Sequence, residues 1–209
     1  MFEFFKRNHS YLQAGFLLTF AASIGQTFYF ALYAGSIRDE LSLSHGLYGG
    51  LYTIATLLSA LTMLYTGKMV DYIKIRNLSF CVLILLGLSS IAFSFINSAV
   101  FLLIVFYLLR ISGQGMSTHT SSTFIAKTYT VMRGKAVAVT ILGRAFGEMV
   151  MPITALFLIA FYGWRQAWVI TGIFILIIIA PYVFYLLKDR EVYEPLSDKK
   201  SESDLDEEV

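Results

Sequence analysis

An all-α integral membrane fold of six transmembrane helices, arranged as two three-helix repeats, is what this sequence predicts. Three observations carry it. The chain of 209 residues is 57% hydrophobic and 14% charged, with a mean hydropathy of +0.69, far more apolar than a soluble domain of this length needs. Its apolar residues gather into six stretches, near 11–36, 46–66, 77–96, 98–126, 136–161 and 166–187, each about 20 residues or longer and so able to span a bilayer. The stretches also alternate in character: polar, polar, plain, then polar, polar, plain.

The first stretch follows Lys6 and Arg7 as a signal peptide would. It is too long for one, and no small-residue cleavage pattern follows before Arg38, so it is expected to stay as a helix. It carries Gln26, Thr27, Tyr29, Tyr33 and Ser36. An amide in mid-membrane needs partners, which singles out Gln26. The second stretch places Tyr48, Tyr52, Thr56 and Ser59 on one stripe. Tyrosine hydroxyls can line a cavity, and tyrosine rings also collect at membrane interfaces; both readings fit Tyr29, Tyr33, Tyr48 and Tyr52. The third and sixth stretches are nearly featureless. Cys81, the single cysteine, sits in the third and reads as a packing residue.

The fourth stretch places Arg110 after a run of plain hydrocarbon, Ala99 to Leu109. A guanidinium at this depth costs about 2.5–3.5 kcal/mol on insertion scales. It persists where it faces a wet cavity or a partner, and there it marks a ligand path. At helical period Gln114, Ser117 and Ser121 share its face, whereas His119 points the other way. The fifth stretch holds Gly143 and Gly147, a pair that permits close helix packing, and Pro152, which can kink a helix. Arg144 and Glu148 are spaced to meet on one face. A structural ion pair is one reading; a proton-carrying carboxylate beside its arginine is the other, with Arg110 competing for the same Glu148.

Charge sets the orientation. Twelve lysines and arginines fall in the N-terminal, even-numbered-loop and C-terminal segments, against Arg38 and Arg165 in the other loops. Both termini are therefore expected to be cytoplasmic, in a cell membrane crossed several times. From Lys188 onward four basic residues meet nine acidic ones, a net −5 in a chain of net +2. Residues 1–190 read as the membrane domain and 191–209 as a disordered acidic tail. No nucleophile–base pattern, metal motif or phosphate loop supports an enzyme, and neither cofactor nor nucleic acid is expected.

After the second stretch stands Gly67-Lys-Met-Val-Asp71-Tyr-Ile-Lys74-Ile-Arg76. It resembles the signature Gly-x-x-x-Asp-Arg-x-Gly-Arg-Arg of the major facilitator superfamily. Gly67, Asp71 and Arg76 match; Tyr72 and Lys74 depart from it. Arg110 with Gln114-Gly115 is similar to the family's helix-4 motif, Arg133-Gly-Lys-Ala136 to its next loop, and Gly143, Gly147 and Pro152 to its helix-5 motif. Gly163-Trp164-Arg165 is a common turn there. Gly25-Gln-Thr-Phe-Tyr29 and Arg38-Asp-Glu-Leu-Ser-Leu-Ser are similar to the bacterial monocarboxylate and oxalate/formate carriers.

The resemblance implies the N-terminal six-helix half of a twelve-helix transporter; Arg110 on its polar stripe adds a small organic anion as the expected substrate, and Glu148 beside Arg144 adds protons as a possible co-substrate. Its site residues would be Arg110, Gln114, Gln26, Tyr29, Tyr33 and Tyr52, with Glu148 and Arg144 coupling the proton. Gly67, Asp71, Lys74 and Arg76 would form the gate. A second six-helix half, as a separate chain or a second copy, is the expected partner in the bilayer. An accessory or remnant subunit without transport of its own, or an exporter of drugs or metabolites, is the alternative.

Overall fold

The computed structural model describes residues 2–188, apart from the side chains of Phe2, Glu3 and Phe5; the acidic tail lies outside the described residues. Five long apolar helices are present among them: His9–Leu41, His45–Tyr72, Ile75–Phe93, Ala99–Thr128 and Arg133–Leu186. They are called the first to fifth spans here. All regular structure among the described residues is helical.

Serine side chains start two of them. Ser44 accepts from the Leu47 amide at 3.1 Å, and Ser98 from that of Phe101 at 3.3 Å, satisfying amides the helix itself leaves unpaired. Ser42, in the left-handed region at φ 51°, ends the first span.

Where the sequence predicts two helices near 136–161 and 166–187, the stretch Arg133–Leu186 holds two helical parts that meet directly at Gly163. No loop separates its parts. Gly163 breaks it instead, at φ 81° and ψ 163°, a conformation essentially reserved for glycine. The break makes two arms, 133–162 and 164–186. The helix carries on through Pro152, so the sharp departure from helical geometry lies at Gly163.

Both arms pack on the first span. Thr19 donates to the Thr140 carbonyl at 2.6 Å, and Phe16 and Phe20 both meet Phe146. Trp168 of the second arm is fully buried among Tyr29, Tyr33, Phe30 and Phe93. The third span also belongs to this core. Leu83, Leu86 and Phe93 are buried, and its Gly87 lies against Gly172. The nearly featureless third stretch is thus part of the core. The second span is the least covered, with Leu57, Leu61 and Leu64 exposed.

Each end of the bundle has its own tie. At one end Arg165 donates to Glu40, to the Ser94 carbonyl and, at 2.8 Å, to that of Ile96, while Trp164 donates to Glu40 at 2.9 Å. One guanidinium thereby joins the end of the first span, the turn after the third and the Gly163 break. Arg165→Ala removes two carbonyl contacts and a partly exposed ion pair, together worth about 1–2 kcal/mol. The expected result is a melting temperature roughly 3–6 °C lower in detergent, read by thermal-shift size exclusion; an unchanged value would show the tie to be idle. At the other end Asp71 pairs with Lys127, and Arg76 lies 3.7 Å over the Phe184 ring while donating to the Phe184 carbonyl.

Candidate functional site

The first span does not run straight. Ser23–Gly25 tighten into a 3₁₀ turn, and Gln26 is extended at φ −87° and ψ 154° before the helix resumes at Thr27. A break of this kind frees backbone carbonyls from the helical ladder. Beside it, the fourth span widens into a π-helical segment over Arg110–Ser117, a distortion frequently found at functional sites.

Two glycines let the distortions touch. A Cβ on Gly25 would lie 2.5 Å from the Leu109 carbonyl oxygen, and one on Gly113 would lie 2.8 Å from the Gly25 Cα. Both clashes are with backbone, which cannot turn aside. The contact puts Arg110 within reach of the break: its Nη1 donates to the Gly25 carbonyl at 3.2 Å. The guanidinium also lies 5.3 Å from the centre of the Tyr52 ring, inside cation–π range.

Arg110 is buried, 8% exposed, and pairs with no carboxylate among the described residues. Gln26 is buried with its Nε2 unpartnered, and Gln114 has a buried, unpartnered Oε1. Tyr52 shares a 2.6 Å hydrogen bond with Thr27. A cation, an amide donor and an amide acceptor with capacity to spare thus surround one break. The cation and the Gln26 donor can hold an anion, whereas the Gln114 oxygen can take only a donor.

The other expected residues fall elsewhere. Tyr33 donates to Tyr29, whose hydroxyl meets Thr171 at 3.3 Å; both rings are core, packed on Trp168. Ser117 and Ser121 leave the Arg110 stripe. Ser117 bonds back to the Ser112 carbonyl, and Ser121 bonds to that of Gly15 at 2.8 Å. The stripe was laid on a straight helix, and the π segment changes its phase.

Glu148 pairs with Arg144, Oε1 to Nε at 2.9 Å, while Arg110 turns to Gly25. Their side chains are 46% (Arg144) and 44% (Glu148) exposed. Gly143 and Gly147 face the first span and leave this pair on the outer side of the bundle. In the gating stretch, Asp71 takes Lys127, and the Gly67 carbonyl meets His119 Nε2 at 2.9 Å. Lys74 is exposed, and Arg76 finds a carbonyl and a ring rather than an acid. Sequence reasoning missed Glu40 and His119 as ties. Each is an ordinary polar residue whose partner lies far along the chain.

A bundle of long apolar helices is the construction of a polytopic membrane protein. The Major Facilitator Superfamily family matches residues 15–206. No curated protein matches the chain. The chain belongs to the major facilitator superfamily, whose members are secondary transporters and not enzymes; it is a multi-pass protein of a lipid bilayer that acts on a small-molecule substrate.

Proposed function

We propose that the chain is half of a carrier for small organic anions such as monocarboxylates, with Arg110 as the anion's charge partner. Buried Arg110, with no carboxylate partner among the described residues and bonded to the carbonyl next to the under-committed Gln26, is the observation that supports this reading most. A desolvated guanidinium binds a carboxylate through short, charge-assisted bonds, and the Gln26 Nε2 donor would then help fix its orientation. The test is uptake of a labelled monocarboxylate into vesicles, with its uncharged amide as competitor. The acid should compete and the amide should not; equal competition sinks the anion reading.

Six crossings are part of the proposal, with the arms about Gly163 as the last two, the two three-helix repeats kept and both termini cytoplasmic. A second six-helix half is the partner, and the Arg144–Glu148 pair favours it. A half-exposed ion pair in mid-span is costly against hydrocarbon and is kept where protein or water covers it. The opposing reading, an accessory subunit, requires no uptake from any paired form.

The same pair supports proton coupling. In this reading the Arg144–Glu148 pair opens and closes with the state of the carrier, and Glu148 is the group through which a proton gradient acts. Glu148→Gln is expected to keep substrate exchange near the parent rate and to lose pH-driven accumulation, measured with and without an imposed proton gradient. Retained accumulation would remove Glu148 from coupling. At the gate, Asp71→Asn frees Lys127 and is expected to slow transport about two- to fivefold without lowering the amount inserted, an exposed pair being worth up to about 1 kcal/mol. Equal rates in vesicles would leave this stretch only an anchoring role.

A further inference from the structure

A cavity of about 530 Å³ lies between the first span and the two arms of the fifth. Its lining includes Phe20 and Tyr29 of the first span, Thr154 and Phe157 of the first arm, and Thr171 and Phe174 of the second. It shares no residue with the Arg110 site, and among the described residues no charged side chain lines it. At the rim, Ile153 and Phe157 are exposed on the flank of the bundle. Thr171 lies about 12 Å along the helix from the Gly163 break. The mouth therefore opens sideways, into bilayer hydrocarbon, away from the ends where water stands.

The hydroxyls in it are polarised in one sense. Thr171 donates to the Ala167 carbonyl at 2.8 Å, and Tyr33 donates to Tyr29 at 3.1 Å. In the 3.3 Å contact between Tyr29 and Thr171, the proton therefore comes from Tyr29. Thr154 donates back to the carbonyls of Val150 and Met151. Every hydroxyl proton at the wall is committed, and what the wall offers is oxygen lone pairs. An apolar cavity of this size with a few convergent polar atoms has the form of a ligand site. Its chemistry suits a guest that donates. A charged guest would find no counter-charge and would lose its hydration uncompensated.

We propose that this cavity takes from the bilayer an uncharged lipophile bearing one hydroxyl donor, of the long-chain alcohol type, whose hydroxyl donates to the Tyr29–Thr171 oxygens. The proposal does not rest on the anion reading, since the two sites share no residue. The test uses the full chain in lipid nanodiscs and two photoreactive probes, a long-chain alcohol with a diazirine in its chain and the methyl ether of the same alcohol. Peptides containing Thr154, Phe157 or Thr171 should be labelled about fivefold more by the alcohol, the discrimination one hydrogen bond gives. Ile153→Trp, which fills the mouth from an exposed position and leaves the packed core alone, should lower the alcohol's labelling by a similar factor with an unchanged elution profile. Equal labelling by alcohol and ether, or labelling indifferent to Ile153→Trp, would reduce the cavity to ordinary lipid contact. Labelling by a fatty carboxylate as strong as that by the alcohol would overturn the donor argument.

Discussion

Arg110→Ala is expected to cut uptake of a monocarboxylate at least about a hundredfold while the protein still inserts and elutes as a single species. The size follows from what the guanidinium supplies: each charge-assisted hydrogen bond is worth about 1.5–3 kcal/mol, and a planar fork can give two to one carboxylate. Survival of the fold follows from two terms that oppose each other. Removing Arg110 leaves the Gly25 carbonyl without its donor, at about 1–3 kcal/mol. It also removes the desolvation of a buried cation that has no carboxylate partner among the described residues. Arg110→Lys keeps the charge as a compact point and loses the fork, so an intermediate loss is expected. Wild-type uptake in the alanine variant would take Arg110 out of the site and leave it as a brace for the broken first span.

Gly143→Leu should have the largest structural effect in the chain. A Cβ at Gly143 would sit 2.3 Å from the Phe16 carbonyl oxygen and 2.4 Å from Thr19 Oγ1. The first obstacle is backbone, and the second is the hydroxyl that reaches the Thr140 carbonyl at 2.6 Å. Helix and span must separate, and the bond between them is lost. Overpacking of this kind costs about 1–3 kcal/mol, and the unmade bond adds about 1 kcal/mol or more. The expected outcome is little or no folded monomer by fluorescence-detected size exclusion. Gly35→Leu is the control: nothing lies within 4 Å of a Cβ there, so its yield should match the parent. If the two variants behaved alike, the close approach between the first and fifth spans would not hold the fold.

Much of this could be read from residue order, for physical reasons that differ by residue. Arg110 was legible because a charge in a hydrocarbon run is expensive wherever the helix turns. Gly143 and Gly147 were legible because their spacing alone puts two small residues on one face. Gln26 drew attention as a lone amide, but the break beside it was hidden. It needs no proline, only one glycine and a neighbour that supplies a donor from 85 positions away. The gap between the last two stretches looked like a loop, yet one glycine in a rare conformation turns the chain there with no residues to spare. Glu148 was placed near Arg110 on depth along the chain alone. Which way a side chain faces depends on how its helix is rolled, and Gly143 and Gly147 roll it toward the first span.

The π-helical segment in the fourth span has a consequence for insertions and deletions. A widened turn accommodates one more residue than an α-helical turn, so the parts before and after it are indexed to different neighbours. Residues up to Arg110 are in register with the break at Gly25, and those from Ser117 with the Gly15 carbonyl and the end of the second span. Deleting one residue between Gly113 and Ser117 would let the span relax to a uniform α-helix while the parts on either side kept nearly their present facing, because the widened turn is where the extra residue is housed. Ser121 would still face Gly15 and His119 would still face Gly67; what would go is the bulge that brings Gly113 onto Gly25. Elsewhere in the span there is no such slack, and a one-residue deletion turns everything beyond it by about 100° about the axis.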